Sequence, residues 1–157
     1  MATRSSSPSA PDRRRVTACE ANDASRWRMA NRCVAAYGRA MANKLVAFGA
    51  LNGLISVAAG AFGAHALKQR LDARSLEIFE TAARYQMFHA LAMVLCGVLA
   101  ARATTAGWAF QIGIVLFSGS LYVLALTGVK GLGAITPIGG LAFLVGWALL
   151  AWSALRT

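Results

Sequence analysis

Long apolar stretches separated by short connectors constrain this chain more than any other feature. Residues 45–67, 108–127 and 132–152 are each close to the roughly 20 apolar residues that a bilayer-crossing helix needs. Residues 85–101 form a fourth apolar stretch, which follows directly on a charged segment. Because lipid offers no partner for backbone polar groups, such stretches are helical. The sequence therefore predicts an all-α integral membrane four-helix bundle with an amphipathic start to the second helix.

The low content of charged residues supports a membrane location. Only 14% of the residues are charged and 57% are hydrophobic, whereas about 25% are charged in a typical soluble domain. The net charge of +10 would also fit a nucleic-acid-binding protein. The basic residues are, however, not gathered into a soluble module with aromatic residues between them. We therefore expect the lipid bilayer as a partner, and no nucleic acid.

Residues 1–40 differ in composition from the rest of the chain. Ser, Pro and Arg dominate this segment and no useful apolar face occurs in it, so we expect a disordered tail. Met41 stands just before the first apolar stretch, and residues 1–40 are alternatively an upstream extension from a misassigned start. Either interpretation leaves residues 41–157 as the four-span membrane domain.

Small residues recur along one face of the first apolar stretch. They lie at alternating intervals of four and three, which places them on one stripe of a helix, where another helix can approach closely. The stripe consists of Gly49, Gly53, Ser56, Gly60 and Gly63. We expect tight helix packing along it, and a structural or accessory component that works as a homo-oligomer or in a larger membrane complex.

Polar residues around the second apolar stretch form the candidate functional polar cluster. Its members are His65, Glu80, Arg84, Gln86 and His89. A short connector would bring the two histidines to similar depth, where they could bind a proton or a metal ion. This is the basis of the alternative function, a small transporter or channel. The other interpretation is that each imidazole satisfies a neighbouring backbone carbonyl group.

The charged residues near the start of the second helix also have a structural interpretation. Either Asp72 or Ser75 can cap that helix. Glu80 and Arg84 are spaced for an ion pair on a solvated face, together with Glu77.

The sequence contains no recognisable catalytic or cofactor-binding pattern. Two histidines without a carboxylate or cysteine beside them make a poor metal-ligand set, and Cys19, Cys33 and Cys96 show no pairing pattern. Ser118 and Ser120 do not lie in a nucleophile elbow, and no phosphate-binding loop or dinucleotide fingerprint occurs. We expect no enzyme activity, no catalytic residues, no metal and no cofactor.

Three segments resemble a known protein family. They are GALNGLISVAAGAFGAHALKQRL, FETAARYQMFHALA and LFSGSLYVLALTGVKGLGAITPIGGLAFLVGWALLA. These segments are similar to the YgdD-like bacterial membrane proteins called domain of unknown function 423, which are related to eukaryotic transmembrane protein 256. The resemblance covers essentially residues 41–155. It implies a multi-pass protein of the bacterial inner membrane with four helices, and it brings no known activity.

Overall fold

The computed structural model describes the backbone of residues 13–99 and 102–156, and the side chains of residues 28–29, 31–99, 102–129 and 131–156. All the regular structure in this part of the chain is helical. Its four helices are α1 (Arg13–Phe62), α2 (Ala73–Val98), α3 (Thr104–Thr127) and α4 (Thr136–Leu155). The predicted all-α fold with four helices is confirmed.

Three of the helical segments are long and apolar enough to cross a membrane. They are Asn31–Leu67, Thr104–Thr127 and Gly131–Leu155. Within the described residues α2 is not among them, although it is 26 residues long. The second apolar stretch was predicted over residues 85–101. The helix that contains it begins at Ala73, as expected for an amphipathic start capped near Asp72, and ends at Val98.

The chain divides between Tyr37 and Gly38 into two units. Residues 1–12 of the expected disordered tail lie outside the described residues, whereas residues 13–40 belong to α1. The structure therefore has a helix where we expected disorder. Ala and Arg are frequent in this segment and are strong helix formers, which accounts for a helix here. The described side chains up to Tyr37 are all exposed.

The connector between α1 and α2 carries a well-formed helix cap. A π-helical turn, Gly63–Leu67, ends the first helical segment. Asp72 then caps α2, because its carboxylate accepts hydrogen bonds of 2.9 Å from the backbone N–H groups of Arg74 and Ser75. Of the two predicted capping residues, Asp72 is confirmed. Hydrogen bonds from Ser75 lower the pKa of Asp72 below its ordinary value. The backbone N–H of Ser75 has the larger effect and its hydroxyl group the next largest.

A π-helical turn also interrupts α3. Ile114–Ser118 separates two α-helical parts, Thr104–Gly113 and Gly119–Thr127. Gly128 ends α3 with a φ of 71°, a left-handed conformation in which glycine is favoured. A 3₁₀ turn then leads into α4, where Pro137 occupies the first turn, a position that proline tolerates.

Glycine and phenylalanine residues interlock where α3 and α4 pack together. A Cβ atom added at Gly139 would overlap the backbone of Phe117, and one added at Gly113 would overlap the ring of Phe143. A Cβ atom added at Gly146 would likewise overlap the ring of Phe110 in α3. The paired positions run in opposite directions along the two helices, so α3 and α4 are antiparallel. Glycine at these positions lets the two helices approach closely.

The buried side chains form two apolar clusters. The larger one includes Leu45, Met93, Cys96 and Phe110. The smaller one contains Leu67, Phe79 and Ala125, near the connector between α1 and α2. Many large apolar side chains are instead exposed on the outer face, as is expected where lipid replaces water as the solvent.

Candidate functional site

A chain of polar side chains crosses the interior of the bundle. The amide nitrogen of Asn52 donates to Gln111 Oε1 at 2.9 Å and also to the Phe48 carbonyl oxygen at 2.9 Å. Gln86 Nε2 donates to Asn52 Oδ1 at 3.2 Å, and the Tyr122 hydroxyl group donates to Gln86 Oε1 at 2.8 Å. These bonds link α1, α2 and α3.

The side-chain amides of Asn52 and Gln86 are buried, and both polar atoms of each amide are hydrogen-bonded. Asn52 and Gln86 are 8% and 4% exposed, and both the oxygen and the nitrogen of each side chain take part in the bonds just described. A buried polar group that lacked a partner would be costly, so this pairing is required for stability. The arrangement can hold three helices in one register, with the amides of Asn52 and Gln86 bonded to protein groups.

His89 of α2 lies beside these polar residues and contacts Trp147 of α4. Its Nδ1 is 2.8 Å from the Tyr85 carbonyl oxygen, and Trp147 Nε1 donates to its Nε2 at 3.3 Å. Because Nε2 accepts a hydrogen bond, the proton of the neutral ring is assigned to Nδ1, which donates to the carbonyl group. The ring also stacks on Phe143, with centroids 3.4 Å apart and planes 6° from parallel. Both imidazole nitrogens are therefore occupied.

The small-residue stripe of α1 faces α2, and the approach is closest at Gly49. A Cβ atom at Gly49 would lie 2.8 Å from the Ala90 carbonyl oxygen and 2.8 Å from Val94 Cγ2. A second glycine on the opposite helix has the same function, since a Cβ atom at Gly97 would lie 2.5 Å from Val46 Cγ2. Glycines on both helices thus permit the close contact between α1 and α2.

The remaining stripe residues differ in how tightly they pack. The Ser56 hydroxyl group is buried and donates to the Ala83 carbonyl oxygen at 2.7 Å. Gly63 would place a Cβ atom 3.2 Å from an aromatic ring of α2, whereas Gly53 has only an ordinary contact at 4.0 Å. At Gly60 no atom lies within 4 Å. The stripe is therefore close to α2 at some positions and open at others.

The structure does not bring the two histidines together. His65 is exposed and lies in the π-helical turn that follows α1, whereas His89 is buried. Gly63, two residues before His65, contacts Phe79 of α2. Phe79 precedes His89 by ten residues, which is about 15 Å along a helix. The expected similar depth of the two histidines is not observed. The first helical segment extends to the level of Phe79, which lies before the apolar part of α2, so His65 is about three helical turns away from His89.

The other predicted cluster residues also separate into two groups. Gln86 is buried with His89, while Glu80 and Arg84 are both exposed. No hydrogen bond or ion pair joins Glu80 to Arg84 among the described residues, so the expected pair is not formed. Among the residues that the structure describes, no group of three or more His, Cys, Asp or Glu side chains could hold a metal ion.

Sequence reasoning missed several residues of this region. Gln111, Tyr122, Phe143 and Trp147 come from α3 and α4, and their partners lie between 36 and 59 residues away in sequence. A polar or aromatic residue within an apolar stretch is the signal that could have found them. Ser118 is also buried, and its hydroxyl group has no partner among the described residues.

A groove of about 710 Å³ opens between α2 and α4, on the outer side of His89. Aromatic and aliphatic side chains form most of its walls, and Arg84 also lines it. Its lining includes Tyr85, Phe88, Leu91, Gly140 and Leu144.

The bundle and its apolar outer surface define a helical membrane protein. Residues 59–140 match the family described as "Protein of unknown function (DUF423)". The chain belongs to this family, and the resemblance noted in the sequence is confirmed. No solved structure matches the chain.

Curated bacterial relatives carry the same description as membrane proteins. The UPF0382 membrane protein SSP2132 of Staphylococcus saprophyticus is 47% identical over 109 residues, which cover 67% of this chain and 91% of the relative. The UPF0382 membrane protein YwdK of Bacillus subtilis is 43% identical over 117 residues, covering 71% of this chain and 95% of the relative. These relatives share the family and bring no stated activity.

Proposed function

We propose that this protein is a structural or accessory component of the bacterial inner membrane, without enzyme activity. One observation carries the proposal: of the buried polar side chains in the described part of the chain, all but Ser118 form hydrogen bonds within the protein. The amides of Asn52 and Gln86 are fully used, and so are both ring nitrogens of His89. Interior polar groups that join helices are typical of membrane-protein packing, whereas binding or catalysis needs groups directed at a ligand.

We further propose that all four helices cross the bilayer. At 26 residues α2 is about 39 Å long, which exceeds the roughly 30 Å of the hydrocarbon core. Its polar residues Gln86 and His89 point inward, while Phe88, Leu91 and Leu95 are exposed. The low hydropathy of α2 thus arises partly from these inward-facing residues and partly from exposed charged residues in its first half, including Glu80 and Arg84. Beyond Tyr85 the outer face is apolar and suits lipid.

The transporter or channel alternative would need His65 and His89 at one level, or another continuous polar path. No contact between the described residues supports the first requirement. We therefore place this alternative second, and the experiment below includes it as an outcome.

The proposal is tested by extracting the tagged full chain in a mild detergent and measuring the mass of the intact complex. A discrete assembly with other proteins would support an accessory subunit, and a homo-oligomer would support an independent structural component. The same preparation is then reconstituted into vesicles to measure proton leak. A leak that His89→Ala abolishes, while the variant keeps its helical content, would contradict the proposal. His65→Ala serves as the exposed control.

A further inference from the structure

We propose that a second copy of this chain docks on the groove between α1 and α2, with Glu80 of each copy paired to Arg84 of the other. The inference rests on the four-span arrangement proposed above and deepens the structural role, because it names the partner and the surface that the partner covers. It depends on the depth of two exposed charges, on their lack of partners and on their order along α2.

Glu80 and Arg84 are exposed at a depth where lipid surrounds the bundle. Arg84 is the twelfth of the 26 residues of α2. The carbonyl oxygen of its neighbour Ala83 accepts a hydrogen bond from Ser56, which is the central residue of the first apolar stretch, 45–67. Glu80 precedes Arg84 by one turn, about 6 Å. In a bilayer whose hydrocarbon core is about 30 Å thick, both charges therefore lie within the core.

Neither charge has a partner within the described part of the chain. The two side chains form no ion pair with each other, and no hydrogen bond or ion pair with another described residue. A charged side chain that faces hydrocarbon is costly, and charges within membranes are nearly always paired or turned towards the protein interior or water. Both residues instead lie on the outside of the single chain. The single chain is therefore incomplete at this surface.

The order of the two charges makes the surface complementary to itself. In a two-fold symmetric dimer, residue i of one copy contacts residue j of the other, and j contacts i. One acidic and one basic residue a turn apart satisfy this rule, because both resulting pairs are attractive and neither charge is left over. Guanidinium groups bond strongly to carboxylates. With both copies inserted in the same direction, the long arginine side chain can span the difference in level of about 6 Å.

The surroundings of the two charges allow a second copy to approach. The groove has a volume of about 390 Å³, and Gly60 and Ala83 line it together with the charged pair. A Cβ atom added at Gly60 would have no atom within 4 Å, so the packing of the single chain does not use this glycine. Phe88 and Leu91 continue the same face of α2 and are 56% and 60% exposed. Small residues beside polar contacts are typical of helix packing in membranes.

The test reverses the charges and measures the mass of the intact complex of the tagged full chain in a mild detergent. The natural chain should be a dimer. Glu80→Lys leaves two positive charges on each surface, and Arg84→Glu leaves two negative ones. Each variant should lower the dimer association constant about a hundredfold, since each of the two lost pairs contributes a factor of about ten. The chain that carries both changes should dimerise again, because the pairs are restored in reverse order.

Combining the two single variants gives the sharpest result. The surface of Glu80→Lys complements that of Arg84→Glu, so differently tagged copies expressed together should purify as a heterodimer, although neither forms a stable dimer alone. Glu77→Lys is the matched control, because it reverses an exposed charge one turn earlier on α2 that does not line this groove. It should leave the dimer unchanged.

A second measurement in membranes does not depend on reversed charges. In a chain with Cys19 and Cys33 replaced by Ser, Phe88→Cys should form a disulfide between copies when copper phenanthroline is added as the oxidant, because two copies meet along this face of α2. Val115→Cys places a thiol on α3, where Val115 is 60% exposed. It should not form a disulfide between copies.

The outcomes separate this inference from the proposals on which it rests. A natural chain that is monomeric, or that assembles only with other proteins, would overturn the dimer and leave the accessory role standing. A dimer that all the charge variants leave unchanged would overturn the pairing. Labelling of Glu80→Cys by a charged maleimide in intact membranes would place this position in water, and would refute the depth on which the inference depends. The proton leak described above contradicts the accessory role whether or not dimers form.

Discussion

Two neighbouring glycines in α4 provide a direct test of how closely α3 and α4 are packed. A Cβ atom at Gly139 would overlap the backbone nitrogen of Phe117 and lie 2.8 Å from its Cα and Cβ atoms. At Gly140 the nearest atoms of the same residue are ring carbons at 3.9 and 4.0 Å. Substituting alanine at each position therefore makes the same chemical change in two very different spaces.

The expected difference follows from the nature of the opposing atoms. Ordinary carbon contacts lie at about 3.5–4.0 Å, so Gly139→Ala must move the helices apart by on the order of 1 Å. A backbone cannot rotate away as the end of a side chain can. Overpacking of this kind costs roughly 1–3 kcal/mol. Both variants gain the higher helix propensity of alanine, up to about 1 kcal/mol, and this gain cancels in the comparison.

We therefore expect Gly139→Ala to be about 1–3 kcal/mol less stable than Gly140→Ala. The free energy of unfolding can be measured by titrating SDS into mixed micelles and following tryptophan fluorescence, because Trp108 and Trp147 report on α3 and α4. Equal stability of the two variants within about 0.5 kcal/mol would refute the close approach at Gly139.

Three further predictions concern hydrogen bonds. Tyr122→Phe should cost about 0.6 kcal/mol and no more than about 1.7, and a double-mutant cycle with Gln86→Leu should show coupling of that size; additive effects would contradict the bond. Asp72→Ala should speed amide exchange in the first turn of α2. The fold lowers the pKa of Asp72, so its stabilisation of the first turn of α2 is complete above the ordinary carboxyl pKa and is lost as the pH falls through the lowered pKa. Amide exchange that is insensitive to acid would argue against the cap. Trp147→Phe should cost about 1 kcal/mol, and nitrogen NMR of the unaltered chain should find the His89 proton on Nδ1. A proton on Nε2 would show that the assigned bonds are wrong.

The helices were predictable because apolar length and small-residue spacing are local properties of a sequence. The cap at Asp72 was predictable for the same reason, since a cap bonds to amides two and three residues away. Disorder was expected for the tail, whereas residues 13–40 are helical. A lack of apolar periodicity does not prevent a segment rich in Ala and Arg from being helical.

The contacts between helices were not predictable from one sequence. Gln86 was identified as a polar residue worth attention, but its bonds to Asn52 and Tyr122 depend on the register of three helices. His89 was considered with His65, whereas its partner is Trp147. The Glu80 to Arg84 spacing permits an ion pair but does not require one, because two long exposed side chains lose conformational entropy when they pair.

The inward direction of the polar residues on α2 has a consequence for how the protein enters the membrane. Insertion machinery selects segments by their hydropathy, and α2 is the helix that falls short by that measure within the described chain. The Gln86 amide and the Nε2 atom of His89 are satisfied by groups on the other helices. In the four-span arrangement that we propose, α2 would leave the insertion channel together with its neighbours rather than alone. Biogenesis and tertiary packing would then be a single step, and a variant that loses the interior bonds would be found with reduced insertion as well as reduced stability.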